Sequence, residues 1–175
     1  MKKIISIGIV ALFAISISAF STTKIKNHKK SETSIKMPSV LIKTLNGESI
    51  NSQNIISNEK PTLLIFWATC CAPCKKELST ISNVYKQWKN ETGINIVAIS
   101  VDIPRYANRV APFVKNNKWD FDVYLDVERN LMHKMNATST PHSFLISKTG
   151  EIVWEKQGFT SGDELDIIKK IKELV

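Results

Sequence analysis

A chain of 175 residues, 43% hydrophobic and 23% charged, has room for one compact domain and a leader. Its net charge of +8 does not point to nucleic acid: seven of the 24 basic residues precede position 37, and residues 37–175 are close to balance, with no basic face for phosphates. The three cysteines, Cys70, Cys71 and Cys74, all fall within five positions, which excludes a framework of scattered structural disulfides.

Lys2 and Lys3 precede an uncharged apolar stretch over residues 4–20, with small residues at Ser18 and Ala19. This is the pattern of a signal peptide over residues 1–19, cleaved after Ala19. The apolar stretch also reaches the lower end of membrane-spanning length, so a retained N-terminal anchor stays open. Either form places the remainder of the chain outside the cytoplasm, in the periplasm or at the outer face of the cytoplasmic membrane. Residues 20–36 hold Lys24, Lys26, Lys29, Lys30 and Lys36 in a polar setting and read as a flexible basic tether. The domain proper is 37–175.

Within it, residues 40–42 form a short strand, and Asn46-Gly47 marks the turn into a second at 48–50. Residues 62–67 are a continuous apolar run of strand length, suited to a central strand buried on both faces. From Pro73 the spacing becomes helical: Leu78, Ile81, Val84, Tyr85 and Trp88 share one face, and the helix ends near Gly93. An apolar strand over 94–101 completes a β-α-β unit. Pro104 and Pro112 bracket a helical segment with Val110, Phe113 and Val114 inward, followed by a strand at 121–125. A short helix at 128–135 turns Leu131, Met132 and Met135 inward. Strands at 143–147 and 151–155 form a hairpin around Lys148-Thr149-Gly150. A last helix over 162–174 is expected to bury Leu165, Ile168 and Ile171. The alternation implies a three-layer α/β domain.

Cys71-Ala72-Pro73-Cys74 lies between the central apolar run and the first long helix. A thiol at a helix N-terminus sits beside unpaired N–H groups and the positive end of the helix dipole, both of which favour thiolate. A second thiol one turn further on can attack a mixed disulfide formed by the first, so the spacing suits a two-electron dithiol/disulfide switch.

The stretch Phe66-Trp67-Ala68-Thr69-Cys70-Cys71-Ala72-Pro73-Cys74, with Lys75-Lys76-Glu77 after it, resembles the thioredoxin superfamily, specifically the TlpA/ResA-like extracytoplasmic thiol-disulfide oxidoreductases. Ile99-Ser100-Val101-Asp102 is similar to that family's second central strand, and Thr140-Pro141-His142-Ser143-Phe144 to the segment carrying its cis-proline. The resemblance covers residues 37–175. It implies a thioredoxin-like three-layer α/β/α domain with a mixed central sheet and a C-terminal β-hairpin plus helix. It further implies a protein-disulfide reductase with Cys71 as attacking thiolate and Cys74 as buried resolving thiol. Pro141 is then cis, leaving the backbone of Thr140 to pair with an extended substrate strand. Trp67, Pro73, Glu77 and Cys70 are the supporting positions.

The same resemblance implies no cofactor or metal beyond a redox-active Cys71–Cys74 disulfide. It implies a membrane electron donor of the DsbD or CcdA type, disulfide-containing partner proteins such as apocytochrome c in cytochrome c maturation, and a monomer. Two positions depart from the family. Cys70 replaces a tryptophan and is either an inert small hydrophobe or a third reactive thiol. Ile65 stands where thioredoxin keeps a buried aspartate, so the proton of Cys74 must pass to water or another acid, Glu77 being one candidate and a solvated helix residue its other reading. Lys75 and Lys76 either raise the potential at the thiolate or are ordinary exposed lysines. His142 adjoins Pro141 and could tune the thiols, whereas His28 and His133 read as surface residues, and Met132 and Met135 as core. The alternative from another class is a Sco-like copper-binding chaperone, with Cu(I) on Cys70, Cys74 and His142.

Overall fold

The computed structural model describes residues 35–175, and the leader and most of the tether lie outside the described residues. The strands are β1 (Leu41–Thr44), β2 (Ser49–Asn51), β3 (Thr62–Trp67), β4 (Asn95–Ser100), β5 (Asp122–Leu125), β6 (His142–Ile146) and β7 (Ile152–Gln157). They form one sheet in the order β2-β1-β5-β4-β3-β6-β7. The pairs β3/β4 and β4/β5 are parallel and the others antiparallel, so the sheet is mixed. Helices α1 (Ala72–Thr92), α2 (Pro104–Ala107), α3 (Val110–Asn116), α4 (Asn130–Lys134) and α5 (Asp163–Lys172) connect and cover it.

All six residues of β3 are buried, and their alternation divides the interior in two. Leu63, Ile65 and Trp67 face a core completed by Leu78, Ile81, Tyr85 and Trp88 of α1 and by Ile167 and Ile171 of α5. Leu64 and Phe66 face a second core with Met37, Ile55, Leu131 and Met132. Met132 and Met135 are core residues, as their spacing implies. α1 closes at Gly93, whose φ of 69° is a left-handed cap, with its N–H donating to the Lys89 carbonyl.

The expected strands and helices are found with limits within a few residues, with one exception. The segment between Pro104 and Pro112 is not one helix. The Pro112 ring would clash with the carbonyl of Asn108 in a continuous helix. The chain therefore breaks there, and Pro112 sits in the first turn of α3, where no N–H is needed. Val110 is buried as expected, and Phe113 and Val114 are half-buried.

The inward face of α5 also differs. Leu165 is 68% exposed, while Ile167 and Ile171 are sealed and Ile168 is half-buried. Residues spaced strictly by three drift around a helix, so Leu165, Ile168 and Ile171 cannot all face one way, whereas Ile167 and Ile171, four apart, lie one above the other. Among the described residues no helix is long and apolar enough to cross a membrane.

Candidate active site

β3 and β4 run parallel, so their C-terminal ends open on the same edge of the sheet. The N–H of Val101 donates to the Trp67 carbonyl at 2.8 Å, carrying the pairing one step past the strands. Beyond it, Thr69 is fastened to Asp102: its N–H donates to Oδ2 at 2.8 Å and its hydroxyl to Oδ1 at 2.7 Å. Asp102 is buried and also accepts from the Ser100 hydroxyl at 2.9 Å. The turn is closed by the N–H of Cys71, which donates to the Ala68 carbonyl at 3.0 Å.

Cys71 is the N-cap of α1, and the backbone N–H of Cys74 donates to its Sγ at 3.2 Å. Pro73 stands in the first turn, where the missing donor costs nothing. Cys71 and Cys74 form a disulfide with Cα atoms 5.3 Å apart. The two sulfurs are unequal: Cys71 is half-buried at the rim, whereas Cys74 has no exposed surface. Cys70 is exposed and unpaired, which rules out its reading as a buried small hydrophobe. Behind the motif, Trp67 is fully buried, its ring 5.1 Å from Trp119 and 5.6 Å from Phe113.

The Thr140–Pro141 peptide is cis, and the Thr140 carbonyl oxygen lies 3.7 Å from Cys71 Sγ, within reach of a thiol hydrogen once the disulfide is reduced. His142 turns elsewhere. Its ring stacks on Phe144 at 4.3 Å between centroids, and Nε2 lies 3.6 Å from Glu155. Burial pulls its pKa down, with Glu155 opposing. Among the described residues no three His, Cys, Asp and Glu side chains gather as metal ligands. Lys75 is half-buried and Lys76 exposed, and among the described residues neither has an ion-pair partner.

Glu77 is 1% exposed, which rules out its reading as a solvated helix residue. It lies on the buried face of α1, three positions after Cys74 and hence one turn along the same side. Ser143 Oγ donates to Glu77 Oε1 at 2.7 Å, and Oε2 has no hydrogen-bond partner. Burial raises the Glu77 pKa to about 7; the Ser143 bond and Lys156 oppose this, and Asp163 adds to it. Ser143 is paired with Ile65 across the β3/β6 ladder. The carboxyl absent at Ile65 is thus supplied from α1 to the neighbouring position.

Asp102 and Ser143, which brace Thr69 and Glu77 beside the cysteines, are not singled out by the sequence motif. Each is a polar side chain set in, or closing, an apolar strand beside the cysteine segment, and that is the signal that marks them.

Residues 33–155 match the AhpC/TSA family. The chain is 34% identical over 116 residues to the thiol-disulfide oxidoreductase ResA of Bacillus subtilis, covering 66% of this chain and 62% of that protein, so it spans less than two thirds of that relative's length. It is 32% identical over 126 residues to the sporulation thiol-disulfide oxidoreductase A of the same organism, covering 71% and 74%. Among solved structures, a thioredoxin-like protein from Porphyromonas gingivalis superimposes with a TM-score of 0.72 at 35% identity, covering 79% of this chain and 91% of the other.

Proposed function

The chain belongs to the AhpC/TSA family of thioredoxin-like proteins, and from that membership we propose that it is an extracytoplasmic thiol-disulfide oxidoreductase that reduces disulfides in partner proteins. The observation that carries this reading is the asymmetry of the two sulfurs: one at the rim on a helix N-cap, the other sealed behind it within the same turn.

In the reduced protein the Cys71 thiolate, favoured by the helix start and the Cys74 N–H, attacks one sulfur of a partner disulfide. A Cys71–partner disulfide forms and the other partner sulfur leaves as thiolate. Cys74 then loses its proton and attacks Cys71 Sγ, releasing the second partner thiolate and closing Cys71–Cys74. Glu77 is the acceptor for that proton, since a buried carboxyl with a pKa of about 7 exchanges protons readily near neutral pH. The backbone of Thr140, beside Cys71 Sγ, pairs with the extended partner strand.

Export follows from the N-terminal leader, whether cleaved after Ala19 or kept as an anchor. A membrane carrier of the DsbD or CcdA type supplies electrons, the haem-site cysteines of apocytochrome c are one target, and the protein works as a monomer. The test is the reduction potential of Cys71/Cys74 in a glutathione or dithiothreitol buffer. A reductase is expected near the thioredoxin value of about −270 mV, and a value near the DsbA value of about −120 mV would overturn the direction.

A further inference from the structure

β3 lies between β4 and β6 in the sheet, so Cys71 stands between the Thr140–Pro141 segment on one side and residues 102–109 on the other. A polypeptide reaching Cys71 along Thr140 has the second segment against its opposite flank. That flank is basic and partly apolar. Ile103 is 42% exposed, although it is a large hydrophobic side chain. The guanidinium groups of Arg105 and Arg109 lie over the Tyr106 ring, 4.5 Å and 4.4 Å from its centroid. Arg129, in the loop after β5, crosses to donate from Nε to the Val101 carbonyl at 3.2 Å, bringing a third cation to the same edge.

None of these arginines is in an ion pair; the four ion pairs among the described residues lie elsewhere. The carboxylates Asp102 and Asp126 at this edge are buried, Asp102 holding Thr69 and Asp126 accepting from the Met132 N–H, which leaves Glu128 as an exposed acid beside Arg129. The rim therefore presents a surplus of positive charge to whatever docks, with two of those charges lying against the Tyr106 ring.

We propose that residues 103–109, with Arg129, form a docking rim for partner disulfides whose cysteines are flanked by Asp or Glu. This rests on the disulfide-reducing reading above and adds to it the class of partner sequence. Acidic flanks meet the unpaired guanidinium groups, and an apolar residue beside them covers Ile103. Charge complementarity of this kind acts mainly on the rate of productive encounter and weakens with salt.

The test uses the full chain, reduced, with three disulfide-linked peptides identical except for Glu, Ser or Lys beside the cysteines. At low ionic strength the Glu peptide is expected to be reduced about tenfold faster than the Ser peptide and the Lys peptide more slowly, with the differences shrinking at high salt. In R105S/R109S the Glu-to-Ser rate ratio should fall towards one, and in R105E/R109E the preference should turn to Lys; each ratio is internal to one protein and so is insensitive to the folded fraction. Equal rates in the natural protein, or a Glu preference kept in both variants, would overturn the rim. Should no peptide be reduced, the reductase reading falls instead. Amide shifts upon adding a Glu-flanked peptide with serine for cysteine then decide the rim: shifts over 103–109 support it, and none overturns it.

Discussion

Ser143 on β6 and Glu77 on α1, 66 positions apart in the chain, meet in a 2.7 Å hydrogen bond directly beneath the redox motif. The bond joins the strand after the cis-proline to the helix that carries both cysteines. It also sits where the buried carboxyl draws on its surroundings for its proton affinity.

Glu77→Gln is expected to uncouple both stability and exchange from pH near neutrality. Because the folded pKa is raised from 4.5 to about 7, the native state holds a proton that the unfolded chain releases between those values. Its contribution to stability is complete below pH 4.5 and lost as pH rises through 7, a swing of about 3 kcal/mol. Urea titrations from pH 4 to 8 should show that decline in the natural protein and its absence in Glu77→Gln. Stopped-flow resolution of the mixed disulfide should lose its inflection near pH 7 in the variant.

Ser143→Ala removes the contact that holds the Glu77 pKa down against burial. The midpoint of the pH–rate profile should therefore move upward, and stability should drop by about 1 kcal/mol. An unchanged profile would show that the hydroxyl serves packing alone.

Asp102→Ala strands the Thr69 N–H and hydroxyl, which should cost about 1–3 kcal/mol in chemical denaturation. Asp102→Asn keeps one acceptor oxygen and should fall between the alanine variant and the natural protein.

Cys74→Ser should accumulate a Cys71-linked partner disulfide, visible as a reducible higher-mass band on a gel. With Cys70 also replaced by serine, Cys71→Ser should form none, since the exposed Cys70 thiol is gone and Cys74 has no exposed surface.

Much of the fold and the redox motif was legible in the chain because it depends on local pattern. The apolar run from Thr62 to Trp67 announces a strand covered on both faces, and Cys71-Ala72-Pro73-Cys74 carries its own spacing and helix start. What depends on distant partners was not. Glu77 looks like any charged residue on a helix until Ser143 is placed over it. Leu165 has the right chemistry for the core but could have been set aside, since Ile167 and Ile171, four apart, share a helix face that Leu165 does not. The break before α3 could have been read, since Pro112 forbids one particular backbone bond four residues back.

With Cys74 wholly enclosed, the exchange proposed for this chain has a single doorway, by which electrons would both enter and leave. Whatever recharges the protein and whatever it discharges into therefore contend for the same small patch around Cys71, and they cannot occupy it together. For the disulfide exchange proposed above, turnover is then an alternation of two visits, and double-displacement kinetics are expected, in which excess donor slows the acceptor half and excess acceptor slows the donor half.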